Sequence, residues 1–417
     1  MSLTTGPVRA SNLFAPRVAR ITGSVIDSSV SVLQSKTHDI IRFGIGSPGA
    51  DAIPAALSTV GAQVVRDSAS GVFDYGPTEG DAGLRAAVLG FFRRRHFAIE
   101  ENELLITSGG MQGLDLVAKL FIGAGDLIVV ESPTYTNGSA VVRSYEGELL
   151  EVPVDGNGMD VDSLAAQVAE SGRTPKAIYT IPNFQNPAGV TLSLDRRRRL
   201  LDLAHRWGSL IIEDDPYGDL RFAGESLPSL AELADGRVLV VGVYTFSKVL
   251  APGLRVGWVT APAEVIAKMI DARQGMDTCT NVPLQRLVAG VVADGTLDEH
   301  LVHLRDLYQE RRSVMLSALA EIFGDLGAIW TVPDGGFFIW LTLPEGCDMQ
   351  KLLEPAVDHG VAYIPGTAFT AVPGRFTSAA RLCYATTPPA RIREGVQRLR
   401  DVVVAAYPWL VAPGTAR

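Results

Sequence analysis

The stretch that decides the fold is residues 193–212, which read SLDRRRRLLDLAHRWGSLII. Ser193 can cap the start of a helix, and the leucines that follow it supply part of an apolar face at helical spacing. Gly208 is a helix stop, and the apolar run Leu210-Ile211-Ile212 comes directly after it. The stretch therefore predicts a helix over 193–207 followed at once by a buried strand.

The same alternation of apolar runs and helix-length amphipathic stretches extends in both directions along the chain. Runs that are almost continuously apolar are typical of strands covered on both faces, as in a parallel sheet between helices. We therefore expect an α/β fold with a mostly parallel sheet sandwiched by helices. The predicted strands are 104–106, 127–130, 177–181, 210–212, 238–244 and 255–260, and the predicted helices are near 111–122, 136–145, 160–170 and 193–207.

The pattern changes after about residue 263, where longer helical stretches begin. The longest is 296–323, and strand signals follow at 337–343 and 380–384. These features predict a second, smaller α+β domain joined by a long helix. The predicted division is an N-terminal arm over 1–45 that packs with the small domain, a large domain over 46–290 and a small C-terminal domain over 291–417.

Composition excludes several classes of protein. The 417 residues carry a net charge of −9 and a pI of about 5.3, which disfavours nucleic acid as a partner because phosphate binding needs a basic face. The basic run at 196–199 is interpreted as a solvated helix face. The longest apolar run is far shorter than the roughly 18 residues of a membrane span.

Three features bear on the cellular compartment. The three cysteines, Cys279, Cys347 and Cys383, have neither disulfide nor zinc spacing, and no signal-peptide core is present. Both observations favour a cytoplasmic protein. The first 26 residues contain arginines and serines but no acid, so an organelle transit peptide is the alternative to an N-terminal arm.

Two motifs resemble binding sites that the rest of the sequence does not support. Gly44, Gly46 and Gly49 match the dinucleotide-binding glycine pattern, but prolines stand where its helix must run. His300 and His303 share a helix face without a recognisable third ligand, so we expect no metal site.

The chemically informative residues lie where the predicted strands end. Ligands of open α/β sheets bind beyond the carboxyl ends of the strands, so these residues are expected to converge. Each has an ordinary interpretation as a turn or a surface charge, but five occur in order at successive strand ends. They are Ser108-Gly109-Gly110-Met111, Pro133-Thr134-Tyr135, residues 183–189, Asp214-Asp215-Pro216-Tyr217 and Ser247-Lys248.

An amine, a carboxylate, a stacking aromatic and an anion-binding helix start together describe a pocket for a phosphorylated, cationic heteroaromatic aldehyde, which is pyridoxal 5'-phosphate. Here the sequence resembles the fold-type I pyridoxal-phosphate enzymes, specifically class I/II aminotransferases of the aminoadipate, kynurenine and aromatic subgroup. The resemblance spans about residues 40–400. It is carried by DYGPTEG at 74–80, TSGGMQG at 107–113, PNFQNPAG at 182–189, EDDPY at 213–217 and TFSKVLAPGLR at 245–255.

The resemblance implies roles for the catalytic residues. Of six lysines in the chain, Lys248 is the one that bonds to the cofactor aldehyde and then carries the substrate's α-proton. Asp214 pairs with the pyridine nitrogen and is chosen over Asp215 because the family's carboxylate and tyrosine are three positions apart. Tyr217 and Asn186 bond to the phenolic oxygen.

The remaining implied contacts are with the phosphate, the ring and the substrate. Backbone N–H groups at 109–111, together with the side chains at 245, 247 and 255, hold the phosphate, while Tyr75 reaches it from the neighbouring subunit of a homodimer. Arg381 binds the substrate α-carboxylate, with Asn186 and Gly46 nearby. The cofactor-binding residues are Gly109, Gly110, Met111, Tyr135, Asn186, Asp214, Tyr217, Thr245, Ser247, Lys248, Arg255 and Tyr75.

The resemblance implies transfer of an amino group from an L-amino acid to a 2-oxo acid, 2-oxoglutarate by expectation, in ping-pong half reactions. The alternatives are another reaction of the same cofactor, such as β-elimination, decarboxylation or oxidation, and a non-catalytic regulator. Only about 40 residues precede the matching region, too few for a DNA-binding domain. Two interpretations of the substrate side chain stay open: a distal carboxylate bound by Arg20, Arg42 or Arg273, or an aromatic or aliphatic pocket formed by Phe184 and residues 275–283.

Overall fold

The computed structural model describes residues 10–21, 23, 38–67 and 71–411. Much of the predicted N-terminal arm, namely residues 1–9, 22 and 24–37, lies outside the described residues, as do residues 412–417. None of the helices in the described part of the chain combines the length and apolar character needed to cross a membrane.

A sheet of eight strands forms the centre of the larger part, in the order β2-β9-β8-β7-β6-β3-β4-β5. Strands β4, β3, β6, β7 and β8 are mutually parallel, whereas β9 and β5 run antiparallel to their neighbours. The prediction of a mostly parallel sheet between helices is confirmed. The strands are β2 Leu104–Thr107, β3 Leu127–Ser132, β4 Glu148–Asp155, β5 Gly158–Met159, β6 Ala177–Thr180, β7 Leu210–Asp214, β8 Val240–Thr245 and β9 Gly257–Thr260.

Strand β4 is the one large-sheet strand of more than two residues that the sequence analysis missed. It carries acidic residues along an intermittently exposed face near the edge of the sheet, so it lacks the continuous apolar run that revealed the other strands.

The predicted helices of the larger part are confirmed to within one residue at almost every end. In α6, Ser193 accepts a hydrogen bond from the backbone N–H of Arg196 at 3.4 Å, and Gly208 ends the helix in the left-handed region. The helices of the whole described chain are α1 Ala56–Arg66, α2 Ala82–Arg95, α3 Gly110–Phe121, α4 Thr136–Ser144, α5 Val161–Ser171, α6 Leu194–Trp207, α7 Leu230–Ala234, α8 Ala263–Gln274, α9 Val282–Ala293, α10 Thr296–Phe323, α11 Leu353–Asp358 and α12 Pro389–Ala406.

The smaller part is built on an antiparallel sheet of order β10-β11-β14-β13, and the predicted long helix is α10. The short strand β1 lies parallel to β12, so the chain just before residue 45 contacts this part, as the predicted arm requires. The domain boundaries stay a prediction. The strands are β1 Ile41–Arg42, β10 Ile329–Trp330, β11 Phe338–Thr342, β12 Val361–Ala362, β13 Ile364–Pro365 and β14 Ala379–Cys383.

The pleat of the large sheet divides its residues between two hydrophobic layers. Tyr179, Ile212 and Val243 pack in the layer that also contains the apolar face of α3. Their sequence neighbours Ile178 and Ile211 pack on the opposite side with α6. Because side chains alternate along a strand, Asp214 shares a face of the sheet with Tyr179 and Ile212.

The interpretation of the basic run at 196–199 as a solvated face is wrong for one of its members. Arg197 is fully buried and donates to the carbonyl oxygens of Leu192 at 2.9 Å, Pro182 at 3.1 Å and Pro228 at 2.9 Å. It also donates to Oδ1 of Asn183 at 2.7 Å. Arg197 therefore ties helix α6 to the loop that follows β6, where part of the predicted site lies.

Replacing Arg197 with Met is expected to lower the free energy of unfolding of the cofactor-free protein by about 3 kcal/mol, because several buried oxygens lose their donor. The urea midpoint measures this. Arg198→Met changes an exposed arginine of the same helix and is expected to stay within about 0.5 kcal/mol of the parent. Equal midpoints for both variants would contradict the proposed anchoring role of Arg197.

Candidate functional site

A cavity of about 200 Å³ opens at the carboxyl ends of the parallel strands, where the sequence analysis placed the site. It is lined by residues from the large sheet, from α3 and from the small antiparallel sheet. The predicted site residues among its lining are Gly46, Gly110, Met111, Tyr135, Asn186, Asp214, Tyr217, Thr245, Ser247, Lys248, Arg255 and Arg381.

Lys248 follows β8 and extends into this cavity. Its Nζ donates to the carbonyl oxygen of Gly46 at 2.7 Å, in the segment that follows the short strand β1. Burial, with the nearby Arg381 charge, lowers the pKa of the amine to about 8, so an appreciable fraction is neutral near neutral pH and able to act as a nucleophile. Among the described lysines the others are exposed.

Asp214 ends strand β7 with its carboxylate buried at the wall of the cavity. Oδ2 accepts a hydrogen bond from the hydroxyl of Tyr179 at 2.7 Å. Burial raises the pKa of Asp214 to about 7, although the Tyr179 bond opposes this rise. The next residue, Asp215, instead accepts from Asn183 Nδ2 at 2.8 Å and the Gly218 N–H at 2.8 Å, outside the cavity lining. This geometry favours Asp214 over Asp215 as a ring-nitrogen partner.

Tyr217 presents a buried phenol to the same cavity. Its ring packs edge-on against Phe337 and Phe338, with centroids 5.4 and 5.7 Å away. Burial raises the pKa of Tyr217 well above its ordinary value, so the hydroxyl stays protonated and can donate a hydrogen bond.

A buried acid, Glu131, holds the loop that carries Asn186. Glu131 accepts from Gln185 Nε2 at 3.0 Å and from Thr180 Oγ1 at 2.6 Å, and burial raises the pKa of Glu131 to about 7. Gln185 Oε1 in turn accepts from the Ala188 N–H at 2.8 Å. These bonds hold both sides of Asn186, so its amide has a defined position at the cavity.

The start of helix α3 forms a cradle for an anion. Gly110 and Met111 lie in the first turn, whose N–H groups have no preceding carbonyl within the helix. Close by, Ser247 Oγ lies 2.8 Å from Thr245 Oγ1 and 3.4 Å from Arg255 Nη1. A guanidinium, two hydroxyls and a helix start therefore face one volume.

Gly109, whose role as an anion-binding N–H stays a prediction, lies just before this helix start. Its N–H donates to the carbonyl oxygen of Thr107 at 2.8 Å, so the N–H assigned to the anion is already occupied in this structure. Gly109 has φ +81°, and a Cβ at this position would collide with the Arg255 guanidinium. Its contribution is the space that lets Arg255 approach.

Arg381 enters the cavity from strand β14 and is 1% exposed. It donates through Nη1 to Asn186 Oδ1 at 2.9 Å and through Nη2 to the Gly44 carbonyl at 2.7 Å, while its buried Nε has no hydrogen-bond partner in the described chain. A Cβ on Gly46 would lie 3.0 Å from the ring of Phe338, beside this guanidinium. The glycine therefore permits close backbone approach.

Two residues of the site were missed because they resemble core residues in sequence. Tyr179 lies within an apolar strand run, and only the pairing of β6 with β7 shows that it faces Asp214. Gly138 leaves room for it, because a Cβ there would lie 2.5 Å from the Tyr179 hydroxyl. Phe338, on β11, lines the cavity and packs 4.3 Å below the Arg381 guanidinium.

Other predicted residues lie away from the cavity. Tyr75 is 90% exposed and does not line it. Arg273 is buried and bonded to Thr280 Oγ1 at 2.6 Å and Asp277 Oδ1 at 2.8 Å, so it is not available to a substrate carboxylate. The other candidates for the substrate side chain, Arg20, Arg42, Phe184 and residues 275–283, are also outside the lining, and the described residues contain no cluster suited to a metal.

The residues present fit pyridoxal phosphate. The anion cradle at α3 suits a phosphate, the buried Asp214 suits a cationic ring nitrogen, and the Lys248 amine suits an aldehyde. The direct partner of the Asp214 carboxylate in the described chain is the neutral Tyr179 hydroxyl, so a charge is buried there without an opposite charge in contact. A bound cation would relieve this unfavourable state.

Comparisons with known proteins agree with this chemistry. A family model described as aminotransferase class I and II matches residues 38–399. The chain is 41% identical over 374 residues to the aromatic-amino-acid aminotransferase 1 of Thermococcus litoralis, covering 88% of this chain and 89% of that protein.

Two solved structures are similar over nearly their full length. The kynurenine aminotransferase of Pyrococcus horikoshii, in complex with PMP, has a TM-score of 0.88 and 36% identity, covering 95% of this chain and 98% of its own. LysN, the alpha-aminoadipate aminotransferase of Thermus thermophilus, complexed with N-(5'-phosphopyridoxyl)-L-leucine, has a TM-score of 0.88 and 34% identity, covering 96% and 100%.

Replacing Tyr179 with Phe is expected to weaken pyridoxal phosphate binding about tenfold near pH 7, because a charged carboxylate loses its donor. Without that donor the Asp214 pKa rises above about 7, so affinity is lost at a higher pH as the solution is acidified. Cofactor titration across pH measures both effects.

The matched control is Tyr145→Phe. It removes a similar hydrogen bond, from Tyr145 to Asp115 Oδ1 at 3.1 Å, outside the cavity lining. Cofactor affinity that is the same in the two variants at every pH would show that Tyr179 has no role in orienting Asp214.

Proposed function

The chain belongs to the aminotransferase class I and II family and is a pyridoxal-phosphate-dependent aminotransferase of fold type I, and from this premise we propose which residues perform the transfer and which substrates they accept. The observation that carries the proposal is the convergence of the Lys248 amine, the Asp214 carboxylate and the Arg381 guanidinium on one cavity. Relatives named as aminotransferases match this chain over nearly their whole length, which favours amino-group transfer over β-elimination, decarboxylation, oxidation and a purely regulatory role.

Pyridoxal phosphate, when bound, supplies an aldehyde that accepts the substrate's amine and a ring that withdraws electrons from the α-carbon. In our proposal Lys248 would hold the cofactor through that aldehyde, and its neutral amine would take up the proton from the substrate's α-carbon. Its lowered pKa supports this role because the neutral amine is the base. Lys248 lines the same cavity as Arg381, the proposed partner of the substrate carboxylate.

Asp214 is proposed to hold the proton on the pyridine nitrogen, with Tyr179 keeping its carboxylate in place. Tyr217 and Asn186 donate to the phenolic oxygen of the ring, and Tyr135, from the wall of the cavity, stacks on its face. The phosphate is held by the first turn of α3 and by the side chains of Thr245, Ser247 and Arg255.

Arg381 is proposed to bind the α-carboxylate that amino acids and 2-oxo acids share. A guanidinium matches a carboxylate in two parallel hydrogen bonds, and the Nε that lacks a partner in the described chain leaves donor capacity for them. One arginine can therefore serve both half reactions, which supports a ping-pong sequence.

The donor is proposed to have an uncharged, aromatic or large apolar side chain. The described cavity lining contains three cations, Lys248, Arg255 and Arg381, and each has a proposed partner on the cofactor or the α-carboxylate. A side-chain carboxylate would be buried there without a partner, which is costly. The relative named for aromatic amino acids and the leucine adduct of LysN support the same class, whereas the name of LysN, for alpha-aminoadipate, stands for a donor with a side-chain carboxylate. We propose 2-oxoglutarate as the amine acceptor on the family resemblance alone, and its side-chain carboxylate then requires a partner outside the described cavity lining.

A panel of amino donors with 2-oxoglutarate tests this proposal. Phenylalanine, tyrosine or leucine is expected to exceed aspartate by at least about tenfold in kcat/KM, because a hydrophobic pocket discriminates by roughly this factor. Lys248→Ala is the control and should form no 2-oxo acid. A preference for aspartate would overturn the proposed donor class, and absence of glutamate would overturn the proposed acceptor.

We further propose a cytoplasmic homodimer with shared sites. The exposure of Tyr75 and Phe73, 90% and 64%, supports a contact with a second subunit, and the three free cysteines fit a reducing compartment.

Subunit complementation tests the sharing of sites. Lys248→Ala and Tyr75→Ala each damage a site, but a mixed dimer would contain one site with both native residues if Tyr75 acts on the partner. Refolding the two variants together should therefore restore up to about a quarter of the parent activity, since about half of the dimers are mixed and each has one intact site. No recovery, while each variant alone remains dimeric, would place Tyr75 outside the neighbouring site.

A further inference from the structure

The loop over residues 366–376, between β13 and β14, crosses from the small sheet to the larger part of the molecule. The carbonyl oxygen of Phe369 accepts from the Thr134 N–H at 3.0 Å, and that of Ala368 accepts from Thr136 Oγ1 at 3.0 Å. Thr134 and Thr136 flank Tyr135, which lines the cavity. The loop therefore docks at the edge of the active site.

A single carboxylate from the missed strand β4 holds the far side of this loop. Glu151 has a side chain only 6% exposed and accepts from the loop through Thr370 Oγ1 at 2.7 Å, the Ala371 N–H at 2.5 Å and Arg375 Nη1 at 3.1 Å. It also accepts from Ser132 Oγ, at the end of β3, at 2.8 Å. The charge of Glu151 is thus directed at the loop and the strand end, not at the cavity.

The loop carries an aromatic ring that lies over the substrate arginine. The Arg381 guanidinium is 5.2 Å from the Phe369 ring and 4.3 Å from the Phe338 ring. Phe369 itself packs edge-on against Trp340 at 5.7 Å. These contacts orient a planar guanidinium, and planar recognition of a carboxylate depends on that orientation.

We propose that Glu151 is a positioning residue for the substrate carboxylate. By holding the 366–376 loop against β3 and β4, it keeps Phe369 on Arg381 and so sets the affinity for both amino acids and 2-oxo acids without touching either. This inference rests on the proposed role of Arg381. No hydrogen bond between described residues joins the loop to Lys248. Glu151 is therefore expected to affect substrate affinity and not the proton transfer at Lys248.

The test replaces Glu151 with Gln in the pyridoxal-phosphate-loaded enzyme. Gln keeps the shape of the side chain but presents an NH₂ group in place of one acceptor oxygen, so the contacts with the loop are weakened. KM for both substrates is expected to rise about tenfold while kcat stays within about twofold, as for a residue that acts through another. Cofactor affinity should change less than KM, because the loop reaches the proposed cofactor face only through the backbone beside Tyr135. Binding of 3-phenylpropanoate, an unreactive carboxylate, should weaken by the same factor in a spectral titration.

Glu148→Gln is the matched control, because Glu148 lies on the same strand but forms an exposed pair with Arg173 at 2.6 Å. It should leave KM unchanged. If Glu151→Gln does not fold, Phe369→Leu removes the ring over Arg381 and should give the same rise in KM with kcat retained.

Arg381→Lys distinguishes the proposed role of Glu151 from the proposed role of Arg381. If it raises KM and Glu151→Gln does not, the inference is overturned and the proposed carboxylate site stands. If Arg381→Lys leaves KM unchanged, the carboxylate site and the inference both fail. When both raise KM, the double variant should show less than the product of the two single effects, because Glu151 acts through Arg381. Fully multiplicative effects would reduce Glu151 to a tether of the loop and overturn its positioning role.

Discussion

The register of three parallel strands is the constraint on which the active site depends. Tyr179 on β6 lies opposite Ile212 on β7, and Asp214 lies opposite Val243 on β8. Since side chains alternate along a strand, this register turns Tyr179 and Asp214 to the same face, under the start of α3. A slip of one residue in β7 would turn Asp214 to the opposite layer and leave Tyr179 without its acceptor. The hydrophobic partners of these strands therefore determine the chemistry at their ends.

The same burial that stabilises the sheet makes the charged groups of the site electrostatically costly. It raises the pKa of Asp214 to about 7 and lowers that of Lys248 to about 8, so each charged form is disfavoured. Because its pKa is raised, Asp214 contributes to the free energy of unfolding in acid, where it is neutral. This contribution is lost as the pH rises through about 7. In the proposed arrangement, a cationic ring nitrogen beside Asp214 and an aldehyde at Lys248 would relieve both costs. Perturbed ionisation is therefore the property that prepares the cavity for its cofactor.

The features that could be predicted from the sequence are those whose signals lie within a short window of residues. The helix and strand over 193–212 and the strand-end position of Lys248 depend on periodicity and turn residues, which short windows contain. Arg197 and Tyr179 could not be assigned, because a buried arginine in a basic run and a tyrosine in an apolar run acquire their partners only when distant segments meet. Gly109 shows a related limit, since its N–H is taken by Thr107, two residues earlier, and only the backbone geometry reveals this.

Residues of both sheets line the cavity, so contacts between the two sheets affect its geometry. Lys248 and Asp214 lie at strand ends of the large sheet, whereas Arg381 comes from the small one, so in the proposed mechanism the distance between the reacting atoms and the carboxylate depends on how the two sheets are held together. A misplacement of about 1 Å is enough to lose much of the rate in such a site. Polar contacts such as those of Glu151 with the 366–376 loop, which contains Phe369 beside Arg381, therefore bear on where the small sheet holds the proposed carboxylate partner, although they touch no reacting atom.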